Sequence, residues 1–368
     1  MKSATRMRFG LMFLLALSMF VVAVNSANAQ QSTGASFFDK MQFSGFVDGY
    51  YGYNFNRPPS RNNALRNFDF HHNQFNLNLF EIAIQQDPQP LGFRVDLNLG
   101  ETAKWVHSTE PGGSDVYQYL QQAYFSIKPP SGHGFQLDFG KFVTQHGAEV
   151  IETKDNWNYS RSLLFAWAIP YYHFGVRATL VSGDKGSFLV SVNNGWNNVV
   201  DNNADKTVGL QGIVKPRSNV TFVQNYMVGK EQAGPDGPTR HLWDSTLTVD
   251  ANSVVSLMAN YDYGMDRSGG ARVKWQGLAA YTRFTVTPVI KLVPRYEWFQ
   301  DKDGFETGKS QTLHEGTMTL EYLAKESLIV RAEYRHDWSS ARYFEHRNEP
   351  LSHAQDTAML GLVYLLGK

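Results

Sequence analysis

The sequence predicts an all-β fold, namely a transmembrane antiparallel β-barrel of about 16 strands. Three observations lead to this prediction. Apolar and polar residues alternate with a period of two, and most of the alternating segments run for 8 to 13 residues. The connections between these segments are alternately short and long. A tilted strand that crosses a membrane needs about 9 to 11 residues, whereas strands of globular proteins average about 5 or 6.

The alternation is clearest around residues 93–100, 173–180, 254–263 and 328–335. Successive side chains of a strand point to opposite faces, so each segment has one apolar face and one largely polar face. The predicted strands start near Met41, Asn73, Gly92, Val116, Phe135, Tyr171, Ser187, Lys206, Val220, His241, Val254, Val273, Val289, Gln311, Leu328 and Thr357.

The connections fall into a short and a long set, as expected for periplasmic turns and extracellular loops of an outer-membrane barrel. The short set covers residues 87–90, 129–132, 182–186, 215–219, 250–253, 286–288 and 324–327. The long set includes residues 56–72, 101–115, 143–170, 193–205, 230–240 and 339–356. An even number of strands then puts both termini on the short-turn side.

Tyrosines and tryptophans cluster near the predicted strand ends, which is typical of aromatic girdles at the two membrane interfaces. These residues are Tyr50, Tyr51, Tyr53, Tyr226, Trp243, Tyr261, Tyr263, Tyr296, Trp298, Tyr322, Tyr334 and Trp338.

The first 29 residues have the pattern of a secretory signal peptide. Lys2, Arg6 and Arg8 precede an uncharged run from residue 9 to 24, and Ala27-Asn28-Ala29 follows as a cleavage signal. We therefore expect residues 30–368 to form one domain, the barrel, exported to the outer membrane. This part retains 31 of the 34 basic and all 34 acidic residues. A net charge of −3 gives no indication of a nucleic-acid partner.

Nothing in the sequence indicates catalysis, a cofactor or a metal site. Cysteine is absent, and neither nucleophile-elbow, zinc-binding nor phosphate-binding motifs occur. His71 and His72 are adjacent and lack the spacing of metal ligands. We therefore expect that the protein is not an enzyme, with a hydrolase at the barrel rim as the weakest alternative.

The longest connection, residues 143–170, is the strongest candidate for a pore constriction. Its charged candidates are Glu149, Glu152, Asp155 and Arg161, together with Lys154. The polar faces of the strands supply candidate wall residues, which are Arg94, Asp96, Arg177, Lys291, Arg295, Arg331 and Arg335. An acidic loop facing a basic wall would create a transverse field.

Two arrangements of this loop remain open. It folds into the lumen and narrows it, or it caps the barrel from outside while wall charges pair locally, as Arg295 with Glu297 and Arg331 with Glu333. The first arrangement predicts that changing Glu149 and Glu152 to Gln shifts ion selectivity toward anions. The apolar stretch 163–167 either pins the loop to the wall or lies at a subunit contact.

Several motifs resemble those of the OmpL-like β-barrel porin family of Gram-negative-type bacteria, over most of the exported chain. They are Phe43-Ser44-Gly45-Phe46-Val47-Asp48 with Tyr50-Tyr51, Phe139-Gly140-Lys141-Phe142 leading to Gly147-Ala148-Glu149, Ser160-Arg161-Ser162-Leu163-Leu164-Phe165 with Ile169-Pro170, and Asn194-Gly195-Trp196. The resemblance implies an outer-membrane pore and transfers no binding residues.

The expected function is passive diffusion of small polar solutes or ions through a water-filled pore. A non-conducting barrel with a structural or adhesive role is the alternative from a different class. The expected partners are outer-membrane lipid and small polar solutes, and a homotrimer follows by analogy with other sixteen-stranded barrels.

Overall fold

The computed structural model describes residues 40–234 and 237–367, so the predicted signal peptide lies outside the described residues. The strands are β1 Gln42–Asn54, β2 Gln74–Gln86, β3 Leu91–Leu99, β4 Leu120–Ile127, β5 Phe135–Val143, β6 Tyr172–Ser182, β7 Gly186–Asn193, β8 Thr207–Arg217, β9 Val220–Lys230, β10 Thr239–Asp250, β11 Val255–Ser268, β12 Ala271–Thr287, β13 Ile290–Asp301, β14 Gln311–Lys325, β15 Leu328–Ser339, β16 Phe344–His346, β17 Glu349–Ser352 and β18 Ala354–Leu366.

Sixteen of these strands form one closed antiparallel barrel, as the sequence predicts. Each pairs with its neighbour in the chain from β1 to β15, and β18 closes the barrel between β15 and β1. The closing ladder runs from Gly45 opposite Leu366 to Asn54 opposite Thr357. Closure leaves no free strand edge, which a sheet surrounded by hydrocarbon cannot tolerate.

The remaining elements lie in the connections between the barrel strands, and all but Gly183–Lys185 belong to the long loops. Helices α1 Glu101–Val106 and α2 Ser114–Tyr117 lie between β3 and β4, and strands β16 and β17 form a small hairpin before β18. Single turns of other helix types occur at Thr153–Asp155, Leu164–Ala168 and Gly183–Lys185. In the described parts of the chain, no helix is long and apolar enough to cross a membrane.

The two faces of the wall differ as the alternation predicts. On β13, Arg295, Glu297 and Phe299 are buried toward the lumen, whereas Tyr296 between them is half exposed on the outer face. The outer face carries many exposed apolar side chains. Examples are Leu247, Leu257, Leu278, Met318, Leu320, Leu360 and Leu362. Their transfer into hydrocarbon is favourable, so this face suits lipid contact.

The outer aromatic residues lie at both ends of the barrel. Trp338 is paired with Ala354, the first residue of β18, and therefore lies at the long-loop end. Tyr322 is paired with Ile290, the first residue of β13, at the opposite end. Tyr50 is an exception, and its predicted place in a girdle is wrong. Its ring is 5% exposed on the inner face, and the Tyr50 hydroxyl accepts a hydrogen bond from the N–H of His71 (2.9 Å).

Two local predictions need correction. The fourth strand starts at Leu120 and not near Val116, because the preceding residues form α2. The alternation of short and long connections also fails once. Strands β11 and β12 are joined at the long-loop end by only Gly269 and Gly270, whose positive φ angles of 56° and 84° suit a two-residue hairpin turn.

Candidate pore lining and the third long loop

The third long loop, residues 144–171 between β5 and β6, is bonded to the inner face of the barrel. Two wall carboxylates, Glu297 of β13 and Glu333 of β15, accept hydrogen bonds from its backbone. The donors are the N–H groups of Leu163 (2.9 Å) and Leu164 (3.2 Å) for Glu297, and of Tyr159 (2.7 Å) and Ser160 (3.0 Å) for Glu333. Both carboxylates are buried, so the wall satisfies loop N–H groups that would otherwise lack partners.

Arg295 is the central cation of this contact. Its guanidinium donates to Glu315 of β14 (2.7 Å), to Glu149 of the loop (2.9 Å) and to the carbonyl of Ser160 (2.7 Å). The Arg295 side chain is completely buried. Such a charge is stable only when it is paired and fully hydrogen-bonded, and the loop supplies two of the three bonds just described.

Arg331 and Arg335 of β15 also bind the loop backbone. Arg331 donates to the carbonyl of Asn156 (2.6 Å) and pairs with Glu321 (2.7 Å). Arg335 donates to the carbonyl of Arg161 (2.6 Å) and pairs with Asp337. The local pairing of Arg331 with Glu333 does not form, because Glu333 is occupied by the loop N–H groups.

Arg161 holds the loop in its own shape. It donates to the carbonyls of Ile151 (2.5 Å), Tyr159 (2.6 Å) and Val150 (2.9 Å). Burial lowers the pKa of Arg161, while Glu149 acts in the opposite direction. The guanidinium therefore joins two separate segments of the loop, residues 150–151 and residue 159.

The apolar stretch 163–167 packs on the wall. Leu163, Leu164 and Phe165 are buried, and the Trp275 indole of β12 donates to the carbonyl of Ala168 (3.1 Å). A Cβ at Gly277 of β12 would lie 2.6 Å from the Leu164 side chain, so the glycine makes this approach possible. Of the two roles considered for this stretch, these contacts favour pinning the loop.

A β-bulge helps to position the loop from the other side. The register between β1 and β2 shifts at Asp48, which leaves Asn78 as the extra residue of β2. Asn78 donates to Asp48 (2.8 Å), and Asp48 also accepts from Tyr159 (2.6 Å) and Thr153 (2.6 Å) of the loop. The bulge buries two consecutive residues of β2, Asn78 and Leu79, on the inner side of the wall.

The loop tip carries the remaining acidic candidates. Glu152 is buried, and desolvation by burial raises its pKa, with nearby Asp96 of β3 acting in the same direction. Asp155 is different, because its side chain is 56% exposed and pairs with Lys154. The tip thus presents one exposed carboxylate and one carboxyl group of raised pKa.

On the side away from these contacts, the third loop covers less of the inner wall. Arg94 pairs with Asp96 (2.9 Å) and Arg177 with Asp138 (2.7 Å), and the two arginine side chains remain 33% and 18% exposed. A cavity of about 610 Å³ lies along this wall. Inward-facing residues that line it include Gln136, Asp138, Arg177, Thr179 and Leu189. Lys291 pairs with Glu321 (2.7 Å) and is 34% exposed.

The sequence-predicted residues therefore separate into two groups. Glu149, Arg161, Arg295, Arg331 and Arg335 come together as a buried network that fastens the loop. The partly exposed group consists of Asp155, Arg94, Arg177 and Lys291, while Glu152 and Asp96 are buried between the loop tip and β3.

Sequence reasoning missed several members of the fastening network. Glu315, Asp48 and Tyr159 belong to it, and so does Arg66 of the first long loop, which pairs with Asp69 and with Asp337 of β15 (2.7 Å). The available signal was charge at alternate positions of β13, at Arg295 and Glu297, and of β15, from Arg331 to Asp337. No comparable signal marks Arg66, because its partner is 271 residues away.

The histidine pair at 71 and 72 has structural contacts. His72 accepts a hydrogen bond from the Asn54 N–H (2.8 Å), and His71 lies 3.8 Å from Glu101. Among residues 40–234 and 237–367, no group of three or more His, Asp or Glu side chains is arranged to hold a metal ion.

Several solved structures resemble this chain in fold. No curated protein sequence matches the chain. Solved structures of similar fold include the trimer form of OmpT from Vibrio cholerae (12% identity, TM-score 0.59, 89% of this chain and 99% of that one). An anion-selective porin from Comamonas acidovorans is similar at 8% identity (TM-score 0.59, 89% and 99%). OprB from Pseudomonas putida is similar at 12% identity (TM-score 0.60, 89% and 95%).

At these identities the similarity establishes the fold alone. The family assignment has a separate basis in the sequence, because a family described as "Putative beta-barrel porin-2, OmpL-like" matches residues 40–366, nearly the whole described chain. With its closed sixteen-stranded barrel and its third loop bonded to the inner wall, this chain belongs to the OmpL-like β-barrel porin family.

Proposed function

We propose that the protein lets small polar solutes or ions diffuse passively through a water-filled lumen. The observation that carries this proposal is the asymmetry of the inner wall. The third loop is fastened to β12–β15, whereas Arg94 of β3 and Arg177 of β6 stay partly exposed, and Arg177 lines a cavity of about 610 Å³. Polar groups that face open space in a barrel are typical of a pore lining.

The loop tip supplies the opposite side of the passage in this proposal. Asp155, which is exposed and paired with Lys154, would face Arg177 of β6 across the lumen, while Glu152 is buried beside Asp96 of β3. Such a transverse field orients dipolar solutes and gives a weak ion preference. Because each wall arginine is paired with an aspartate, we expect mixed selectivity and not a strong preference for anions.

The location and partners follow from the family. We propose that the long loops face the exterior and the short turns the periplasm, with lipid around the apolar outer face. A homotrimer is the proposed assembly, on the analogy of the OmpT trimer, whose fold is similar.

A non-conducting structural barrel is the second candidate, and one observation favours it. The first long loop also enters the barrel, with Arg66 bonded to Asp337 and to Thr357 (3.1 Å). Two inward loops occupy more of the lumen than one, and complete closure would abolish conduction.

Single-channel current distinguishes the two candidates. The refolded protein without residues 1–29 is inserted into a planar bilayer under a salt gradient. Steady open steps support the pore, and the reversal potential gives its ion preference. A barrel that migrates as folded on gels but passes no current would support the structural role.

A further inference from the structure

An outward-facing groove at the long-loop end of β10–β12 has a charge arrangement that the pore does not use. Its volume is about 360 Å³. Residues that line it include Thr239, His241, Met265, Arg267 and Arg272. Residues paired across an antiparallel ladder share a face, and these belong to the same face as the exposed Tyr261 and Leu278. The groove is therefore on the outer surface.

Two arginines line this groove, and Lys274 lies next to them on the same outer face. Arg267 lies directly opposite Arg272 in the ladder, and Lys274 follows opposite Met265. All three are exposed. Within residues 40–234 and 237–367, none of the three forms an ion pair. Like charges placed directly opposite each other destabilise a strand pair, so a bound anion would relieve the repulsion between the two arginines.

Two nearby carboxylates already have other partners. Asp266 also lines the groove, but its side chain is buried and pairs with Arg240 (2.9 Å). Asp303 accepts a hydrogen bond from the Lys274 backbone N–H (2.9 Å). The groove is accessible because the connection between β11 and β12 has only two residues, whereas the other connections at this end have eight or more.

The wall below the groove is aromatic and then apolar. The His241 ring stacks on Trp243, with ring centroids 5.7 Å apart, and its Nδ1 is hydrogen-bonded to the Tyr226 hydroxyl (2.7 Å). Further down the same outer face, Leu247, Leu257 and Leu278 are exposed. Cations above an aromatic band and an apolar wall match the order of phosphate, glycerol or sugar, and acyl chain in a membrane lipid.

We propose that this groove binds the phosphate of an anionic membrane lipid, with Arg267 and Arg272 as its principal ligands and Lys274 as a third. An arginine guanidinium can bind two phosphate oxygens at once, and the two arginines lie directly opposite each other on neighbouring strands. The continuity between the cations and the apolar wall favours a lipid headgroup over free phosphate, because only a lipid would use both. This inference does not depend on whether the lumen conducts.

The test uses the whole refolded barrel in zwitterionic detergent and diphosphoryl lipid A as the probe, with bound lipid counted by native mass spectrometry. We expect Arg267→Gln/Arg272→Gln to weaken binding by about tenfold or more, because charge-assisted hydrogen bonds are lost. The matched control is Lys215→Gln/Arg217→Gln, which removes two exposed cations at the short-turn end. It should bind like the unchanged protein.

Three results would overturn the proposal. The first is equal binding by the groove variant and the control, and the second is equal binding of lipid A from which the phosphates have been removed. The third is displacement of lipid A by an equimolar amount of inorganic phosphate, which would indicate a site for free anions. Single-channel conductance of the groove variant should equal that of the control, so failure here leaves the pore proposal intact.

Discussion

At the residue scale, five of the eleven charged residues predicted to line a pore hold the third loop in place. Arg295 is completely buried with carboxylates on three sides, among them Glu149 and Glu315. Burial of one charge is expensive unless its partners are in place, so each member of this network depends on the others. Arg295 and Lys291 lie on the same face of β13 and are a natural pair for comparison, because only Lys291 is partly exposed.

Arg295→Gln should destabilise the barrel by about 3–5 kcal/mol, since it leaves buried carboxylates uncompensated. Lys291→Gln should cost about 1 kcal/mol or less, because solvent screens its pair with Glu321. Urea unfolding in detergent, followed by tryptophan fluorescence, measures both. Equal losses for the two variants would mean that the network around Arg295 adds nothing to stability.

Glu152 should give the proposed pore a pH dependence of definite sign. Burial raises its pKa, so the group is neutral at low pH and becomes negative as pH rises through a value above the usual carboxyl range. Cation preference should therefore increase with pH in that interval, and Glu152→Gln should remove the increase. Reversal potentials measured from acid to neutral pH test this.

Asp184→Asn, in an exposed short turn, is the control and should leave the pH dependence of the reversal potential unchanged. A pH dependence that persists in Glu152→Gln would assign it to another group.

At the element scale, the strands could be predicted because burial imposes a period of two on every strand. Most predicted starts fall within three residues of the observed ones, and the fourth strand, displaced by α2, is four residues off. Tyr50 shows the limit of this reasoning. Its place on β1 is correct, but the face it occupies depends on contacts with His71 and with the Tyr159 ring (5.7 Å between centroids).

The fastening of the third loop could be predicted only in outline. Acidic loop and basic wall residues were recognised from their types, but Glu149 and Arg295 are 146 residues apart. Local patterns carry no information about such a contact. The sequence therefore indicates which residues carry charge, while the folded chain determines which charges neutralise each other and which remain in contact with water.

The tip of the third loop should limit conductance if it borders the passage. Removing residues 150–158 leaves the pinned stretch 163–168 in place and should raise single-channel conductance by about twofold or more, because the narrowest section widens. Removing the β16–β17 hairpin, residues 344–352, shortens a rim loop by the same length and should change conductance little. Unchanged conductance in the first variant, with folded gel mobility, would place the limiting section elsewhere.

At the scale of the whole molecule, the inner wall is divided into a covered and an uncovered side. The buried arginines belong to β13 and β15, whereas Arg94 and Arg177 belong to β3 and β6 on the far side of the barrel. A pore through this molecule would run off-centre, along β3–β7. Selectivity and stability should then depend on different arginines.

Arg94→Gln/Arg177→Gln tests this division, because it leaves Asp96 and Asp138 without their cations beside the proposed passage. The reversal potential should shift toward cation preference, since the wall loses two positive charges while both carboxylates remain. Lys215→Gln/Arg217→Gln changes the net charge equally at the short-turn end and should shift it much less. If both variants shift the reversal potential alike, ions respond to the overall charge of the barrel, and the passage does not follow the wall of β3–β7.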